Sequence, residues 1–245
     1  GAELTVRLLE RQGVRVLSGI PGGAILPFYD ALSASTEIHH VLARHEQGAG
    51  FIAQGMARTT GQAAVCLASS GPGATNLLTA IADAKLDSIP LVAITGQVPQ
   101  SMIGTDAFQE VDTYGLSVPI TKHNFLVDRA EALLEVIPRA FSLALSGRPG
   151  PVLVDIPKDV QLQRIAVSHW PEPGCAQAAP APDADKIAQA AQMINQAKRP
   201  ILYLGGGVVH SGAAEAAVTL AEQASLPTTM TLMALGAMPV DHPLS

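Results

Sequence analysis

The sequence predicts an α/β fold built on a doubly wound, mainly parallel sheet, and three observations carry that expectation. Short β-type apolar runs alternate with stretches whose apolar residues recur at helical spacing, the order that right-handed βαβ units require. The run at residues 63–68 is continuously apolar, as a buried strand is, and further short strand-like runs stand at 91–95 and 152–156. Aromatic residues make up only 4% of a chain with 48% apolar content and 22 glycines, so the core must be filled by small aliphatic side chains that let helices lie close to a sheet.

Taken in order, residues 2–12 carry Leu4, Leu8 and Leu9 on one helical face, with Gly13 as the C-cap and a short strand at 14–17. Gly19-Ile20-Pro21-Gly22-Gly23 follows the strand, and helical spacing resumes over 24–32 through Ile25, Phe28 and Leu32. These glycines serve either a turn that needs φ > 0 or a close approach of backbone to a ligand. A strand ending at Ala43 leads into Arg44-His45-Glu46 and a helix to about residue 57. The strand at 63–68 breaks at Ser69-Ser70-Gly71-Pro72-Gly73, and a helix follows over 74–84. The remainder of this unit reads as a strand at 91–95, a loop over 96–106, a strand near 120–126, a helix at 129–145 and a strand at 152–156.

From residue 161 to about 184 the composition shifts to Pro, Ala and Gln, which reads as an interdomain linker. The expected organisation is a first domain over 1–160, a linker over 161–184, and the start of a second, Rossmann-like α/β domain over 185–245. The second unit opens with a helix at 186–197, a strand at 200–204, Gly205-Gly206-Gly207, a helix at 213–224 and an apolar run at 228–232. A triple glycine before a helix suits a phosphate or pyrophosphate, but His210 stands where the last glycine of a GxGxxG fingerprint would be.

Charge and composition narrow the partners. Fifteen basic against 21 acidic residues give a net charge of −6 without a basic cluster, so nucleic acid and anionic membranes are not expected partners. Cys66 and Cys175 make neither a metal-ligand spacing nor a disulfide framework, which fits a reducing cytoplasm. No apolar run reaches membrane-spanning length, and Gly1-Ala2-Glu3-Leu4 has no signal-peptide character. The chain starts directly in a helical pattern and stops without a closing element, so it reads as a piece of a longer protein.

In doubly wound sheets ligands bind beyond the carboxyl ends of the strands. Four loops fall there: Gly19-Ile20-Pro21-Gly22-Gly23, Arg44-His45-Glu46, Ser70-Gly71-Pro72-Gly73 and Gly96-Gln97-Val98-Pro99. Glu46 is the candidate working residue. Its bland reading is a first-turn Glu favoured by the free N–H groups and dipole of a helix start.

Six strings, in this order, carry a resemblance: Gly19-Ile20-Pro21-Gly22-Gly23-Ala24; Arg44-His45-Glu46-Gln47-Gly48-Ala49; Ser70-Gly71-Pro72-Gly73-Ala74-Thr75-Asn76; Ile94-Thr95-Gly96-Gln97-Val98-Pro99; Ile103-Gly104-Thr105-Asp106-Ala107-Phe108-Gln109-Glu110; and Arg148-Pro149-Gly150-Pro151-Val152-Leu153-Val154-Asp155-Ile156-Pro157-Lys158-Asp159. Over essentially its whole length the chain closely resembles the acetohydroxyacid synthases, the thiamine-diphosphate-dependent acetolactate synthases, in their large catalytic subunit. The resemblance implies a pyrimidine-binding thiamine diphosphate domain, followed by the truncated beginning of a central FAD-binding domain. It also implies that the Mg²⁺ ligands lie in a C-terminal domain outside this sequence, so the fragment alone would be inactive and holds no metal ligand of its own.

The implied reaction is decarboxylation of pyruvate and condensation with a second 2-oxo acid, pyruvate or 2-oxobutanoate, in branched-chain amino acid biosynthesis. By resemblance Glu46 is the carboxylate on N1′ of the cofactor pyrimidine, where a group able to share a proton with a weakly basic ring nitrogen is needed. Gly23 lies near the reacting carbonyl, and Gln109 is a side-chain donor near substrate. The same resemblance gives Pro21, Gly22, Ser70, Gly71 and Asn76 to the thiamine cofactor, and Arg148, Gly205, Gly206, Gly207, Thr231, Leu232 and Met233 to FAD. Ala24, Pro99, Phe108 and Lys158 match positions of the substrate channel or inhibitor site.

Phe108 as core, Lys158 as a solvated cation and Arg148 as a helix C-terminal cation are the bland readings of those positions. His45 reads as structural rather than catalytic. A homodimer or larger assembly and a small regulatory subunit are the implied protein partners. The competing readings are another thiamine diphosphate enzyme, such as pyruvate oxidase, a 2-oxo acid decarboxylase or the catabolic acetolactate synthase, and a non-catalytic binding or assembly module.

Overall fold

A computed structural model describes all of residues 1–245, which form two compact units, Gly1–Ala178 and Ala179–Ser245. In chain order the first unit contains α1 (Ala2–Arg11), β1 (Val16–Gly19), α2 (Leu26–Ser33), β2 (His39–Leu42), α3 (Glu46–Thr60), β3 (Ala64–Ala68) and α4 (Pro72–Asp87). It continues with β4 (Leu91–Gln97), α5 (Thr113–Ser117), β5 (His123–Leu126), α6 (Leu133–Leu145), β6 (Pro151–Pro157) and α7 (Lys158–Leu162). The six strands form one sheet in the order β2-β1-β3-β4-β6-β5, and every pairing is parallel. This is the doubly wound α/β sheet that the alternating pattern predicts.

The central strands are buried along their whole length, and the period-2 alternation of a strand sorts their side chains between two cores. On one face Val65, Leu67, Val92, Ile94, Val152 and Val154 pack with Leu8 and Leu9 of α1, Phe28 of α2, and Leu133, Ile137 and Phe141 of α6. On the other, Ala64, Cys66, Ala68, Leu91, Ala93 and Leu153 meet Ala53 and Ala57 of α3 and Leu77, Ile81 and Ala84 of α4. The second face is built of smaller groups, and so α3 and α4 approach closely. A Cβ built on Gly50 would stand 2.5 Å from the Ala80 Cβ, and Gln54 Nε2 donates to the Ala80 carbonyl at 2.7 Å. Burial in this layer pushes the Cys66 thiol up to about 12, which leaves it inert as a nucleophile.

Several boundaries differ from the sequence expectation for identifiable reasons. The first strand begins at Val16 rather than residue 14, because Gly13 at φ +80° ends α1 with the Val14 N–H bonded back to the Leu9 carbonyl at 3.1 Å. Such a closure uses the residue after the glycine in the helix end. The strand continues through Gly19, which is in register with both Leu42 and Leu67. Gly96 and Gln97, expected in a loop, are the last residues of β4. Gln161 and Leu162, expected to open the linker, belong to α7. Beyond them Ile165, Val167 and Trp170 pack on the first core, and the Arg11 guanidinium lies 5.7 Å from the Trp170 ring centroid.

The second unit contains α8 (Ala184–Gln196), β7 (Leu202–Leu204), α9 (Gly206–His210), α10 (Ala214–Ala224) and β8 (Thr228–Met230). Its two strands pair in parallel, and Leu204, Ala234 and Ala237 form one small core with Ala221, Leu226 and Met238 in another. No helix of either unit is long and apolar enough to cross a membrane.

Candidate active site

Because all six strands run parallel, the loops after β1, β2, β3, β4 and β6 emerge at the same edge of the sheet. Side chains and tight backbone approaches tie them into a closed circuit. Gly22, after β1, sits so close to the loop after β3 that an added Cβ would stand 2.5 Å from the Ser69 Cβ, and the Ala24 N–H reaches Ser69 Oγ at 3.3 Å. Gly71, after β3, has φ +56°, and an added Cβ there would stand 2.6 Å from the Gln109 carbonyl oxygen. Glycine is therefore required at position 71 both by its left-handed backbone and by contact with the loop after β4. Gln100 N–H donates to Asp159 Oδ1 at 3.1 Å, which joins the β4 loop to the first turn of α7, just after β6. The circuit closes through Gln161, whose Nε2 donates to the Ala24 carbonyl at 2.9 Å and the Ile156 carbonyl at 2.8 Å.

Glu46 stands in this circuit as the first residue of α3. The helix begins there because His45, in extended conformation, accepts the Gln47 N–H on Nδ1 at 3.1 Å. His45 is thus a helix cap, which is the structural role its position suggests. Glu46 is half-buried, and its Oε2 accepts from Asn76 Nδ2 of α4 at 2.9 Å. Its Oε1 faces Gly73, where an added Cβ would stand 3.5 Å away. The result is a carboxylate at a helix N-terminus with one oxygen fixed by an amide and the other without a hydrogen-bond partner in the chain. Asn76 thereby orients the carboxylate through one of its two amide N–H groups.

The remaining expected residues fall into three groups. Pro21, Gly22, Gly23 and Ala24 lie in the β1 loop, and Ser70 with Gly71 in the β3 loop. Gly23 is exposed, with open space where a Cβ would be. Pro99, Phe108 and Gln109 lie in the β4 loop; Phe108 is 86% exposed, so the structure rejects its reading as a core residue. Gln109 has φ +58°, a conformation that costs a non-glycine residue about 1 kcal/mol or more. Lys158 opens α7 after β6 and lines an open cleft of about 660 Å³ with Leu26, Pro27 and Asp30 of α2.

Arg148 is not brought to these loops. It precedes β6, at the opposite edge of the sheet, where its Nε donates to Ser88 Oγ at 2.7 Å and a terminal nitrogen donates to the Leu86 carbonyl at 3.0 Å. There it serves the C-terminal end of α4, a favourable place for a cation.

Within the second unit Gly205, Gly206 and Gly207 follow β7, while Thr231, Leu232 and Met233 follow β8. These two segments meet: the Thr231 N–H donates to the Leu204 carbonyl at 2.9 Å, and an added Cβ on Gly206 would stand 3.0 Å from the Met233 Cβ.

Three participants carried no signal as site residues in the sequence. Ser69 and Gln161 hold the β1 loop, as described above. Asp155, in the apolar run of β6, is 1% exposed and accepts from Thr95 Oγ1 at 2.7 Å and Gln97 Nε2 at 3.0 Å. Burial pushes its carboxyl up to about 7 despite those two hydrogen bonds, with the charge of Asp112 adding to the rise.

Comparison with known proteins accords with this geometry. The family model described as thiamine pyrophosphate enzyme, N-terminal TPP binding domain, matches residues 1–116, and that of the thiamine pyrophosphate enzyme central domain matches residues 187–245. The chain is 66% identical, over its full length, to the acetolactate synthase isozyme 1 large subunit of Escherichia coli strain K12, covering 43% of that protein. It is 52% identical to the acetolactate synthase large subunit of Corynebacterium glutamicum, covering 39%, and 48% identical to the chloroplastic acetolactate synthase of Arabidopsis thaliana, covering 37%. The chain thus spans about two-fifths of the length of the curated relatives it matches. It belongs to the thiamine pyrophosphate enzymes, carrying their N-terminal TPP-binding and central domains, and resembles throughout its length the large subunits of acetolactate synthase.

Proposed function

We propose that this chain is the pyrimidine-binding domain and the opening of the FAD-binding domain of a biosynthetic acetolactate synthase. The activity is decarboxylation of pyruvate and joining of the remaining two carbons to pyruvate or 2-oxobutanoate, giving acetolactate or acetohydroxybutyrate. One observation carries the reading: Glu46, at the carboxyl edge of a parallel sheet, is held by Asn76 through Oε2 alone, with Oε1 free.

That arrangement fits thiamine diphosphate by the chemistry of its donor set. A carboxylate oriented at a helix N-terminus by an amide is a group that can share a proton with a weakly basic ring nitrogen. When bound, the cofactor supplies the electron sink for loss of CO₂ and the carbon nucleophile for the condensation. The chain's own residues bind and orient. Oε1 of Glu46 would hold the proton shared with the pyrimidine nitrogen. Pro21, Gly22, Ser70 and Gly71 shape the surrounding backbone, Gly23 offers an exposed peptide N–H toward the substrate carbonyl, and Gln109 offers a side-chain amide. Ala24, Pro99, Phe108 and Lys158 border the approach of substrate.

FAD, held by Gly205 to Gly207 and Thr231 to Met233 with Arg148 contributing, and Mg²⁺, held by residues beyond this sequence, complete the proposed cofactors. A cytoplasmic homodimer or larger assembly with a small regulatory subunit is the proposed setting. In this reading residues 1–160 are the pyrimidine domain, 161–184 the linker and 185–245 the start of the FAD domain.

The test uses the chain extended to the length of its relatives, incubated with pyruvate, thiamine diphosphate, Mg²⁺ and FAD, with and without 2-oxobutanoate, and products identified by mass spectrometry. Acetolactate, joined by acetohydroxybutyrate in the mixture, supports the proposal. Acetaldehyde or acetate without a new C–C bond would overturn it in favour of a decarboxylase or oxidase.

A further inference from the structure

We infer that Gln97 and Asp155 form a clasp that closes the base of the loop over residues 98–112 and thereby sets where Phe108 and Gln109 stand. Gln97 is the last residue of β4 and is 2% exposed. Its single amide holds both ends of the loop. Oε1 accepts the Val98 N–H at 2.9 Å, and Nε2 donates to the Val111 carbonyl at 3.0 Å and to Asp155 Oδ2 at 3.0 Å.

The orientation of that amide is what matters. Turned through 180°, it would set an oxygen against a carbonyl and a carboxylate and a nitrogen against the Val98 N–H, so all three contacts would fail. Asp155 selects the working orientation by accepting from Nε2, and Thr95 Oγ1, directly opposite it in the β4–β6 register, fixes the other carboxyl oxygen at 2.7 Å. Asp155 is therefore a positioning residue that acts through Gln97.

Above that base the loop is largely solvent-facing, held by short-range turns and, near its start, by Gln100 bonding to Asp159 and Asp128. Phe108 is 86% exposed, and Met102, Gly104 and Asp106 are also exposed. Within it the Gly104 N–H donates to Glu110 Oε1 at 3.2 Å. At the far side Gln109 takes φ +58° against Gly71, so a shift at the base would be transmitted to that contact. That Phe108 and Gln109 face substrate rests on the proposed function; the clasp rests on the hydrogen bonds alone.

The clasp needs an acceptor at position 155, not a charge. An Asn can turn its oxygen to Gln97 Nε2 and its nitrogen to Thr95 Oγ1, which accepts. Asp155→Asn should thus retain the loop, whereas Asp155→Ala and Gln97→Met should release it. Amide hydrogen exchange on the whole chain, without cofactor or substrate, separates these outcomes and is independent of whether the thiamine reading holds. Loss of the two loop-end hydrogen bonds should speed exchange over 98–112 roughly tenfold in Gln97→Met and Asp155→Ala. Amides of β3 should be unchanged in Gln97→Met, and Asp155→Asn should match the parent chain. Unchanged exchange over 98–112 in Gln97→Met, an equal rise throughout the sheet, or an Asn variant as open as the Ala variant would each overturn the inference.

Discussion

Replacing Asp155 by Asn should remove a pH-dependent penalty from the first unit while keeping its hydrogen bonds. The carboxyl is 1% exposed, and burial raises it from 3.8 to about 7. A carboxyl raised in the folded state binds its proton more tightly there than in the unfolded chain. The contribution of Asp155 to stability is therefore most favourable below about pH 4, falls as pH rises toward 7, and is flat above that. A shift of about 3 units corresponds to about 4 kcal/mol between the two plateaus. The groups facing Asp155 are Thr95, Gln97 and the more distant Asp112; Asn presents the same shape to them without a titratable proton.

Unfolding in urea can be followed by the fluorescence of Trp170, the sole tryptophan, which packs on the core of this unit. The free-energy difference between Asp155→Asn and the parent should rise in favour of Asn between pH 4 and 8, by up to about 4 kcal/mol. A difference constant across that window would show that Asp155 keeps an ordinary pKa, and would refute the placement of a buried carboxyl without a counter-charge between β4 and β6.

Other substitutions test the packing and the site. Gly50→Ala sets helix propensity, which favours Ala by about 1 kcal/mol, against a Cβ 2.5 Å from that of Ala80. Overpacking of about 1–3 kcal/mol should prevail, and urea unfolding that shows a more stable variant would contradict the close approach of α3 and α4. Gly71→Ala should cost about 2 kcal/mol from its left-handed backbone alone and should speed hydrogen exchange around Gln109; unaltered exchange there would remove the contact. Asn76→Ala in the full-length enzyme should slow turnover roughly tenfold by releasing Glu46 Oε2, with a smaller effect on cofactor affinity; full activity would leave Asn76 without a role.

Much of this architecture is legible in the chain because local chemistry and fold agree. The mainly apolar runs at Ala64–Ala68, Leu91–Gln97 and Pro151–Pro157 are buried on both faces, and the glycine-rich strings fall at strand ends where parallel topology gathers them. Glu46 is visible as an acidic first-turn residue, but the residue that orients it, Asn76, is 30 positions away and meets it only because α3 and α4 pack closely. The same holds for the clasp: Gln97 and Asp155 are 58 residues apart, and their meeting depends on β4 and β6 being neighbours, which no local pattern encodes. Gln161 sits at the edge of a Pro/Ala/Gln-rich stretch that suggests solvent, yet it is 3% exposed and spends its amide on two backbone carbonyls. Arg148 shows the converse: a resemblance marks it for a cofactor, while within this chain its partners are the end of α4.

The most direct test of the account is the rate at which the C2 proton of bound thiamine diphosphate exchanges with deuterium in the full-length holoenzyme carrying Glu46→Gln. A side chain that still accepts from Asn76 but no longer shares a proton with the cofactor should leave binding within a few-fold and slow exchange by about 100-fold or more. Exchange at the parent rate, with the cofactor bound, would remove Glu46 from the chemistry and with it the assignment of this sheet edge as the active site.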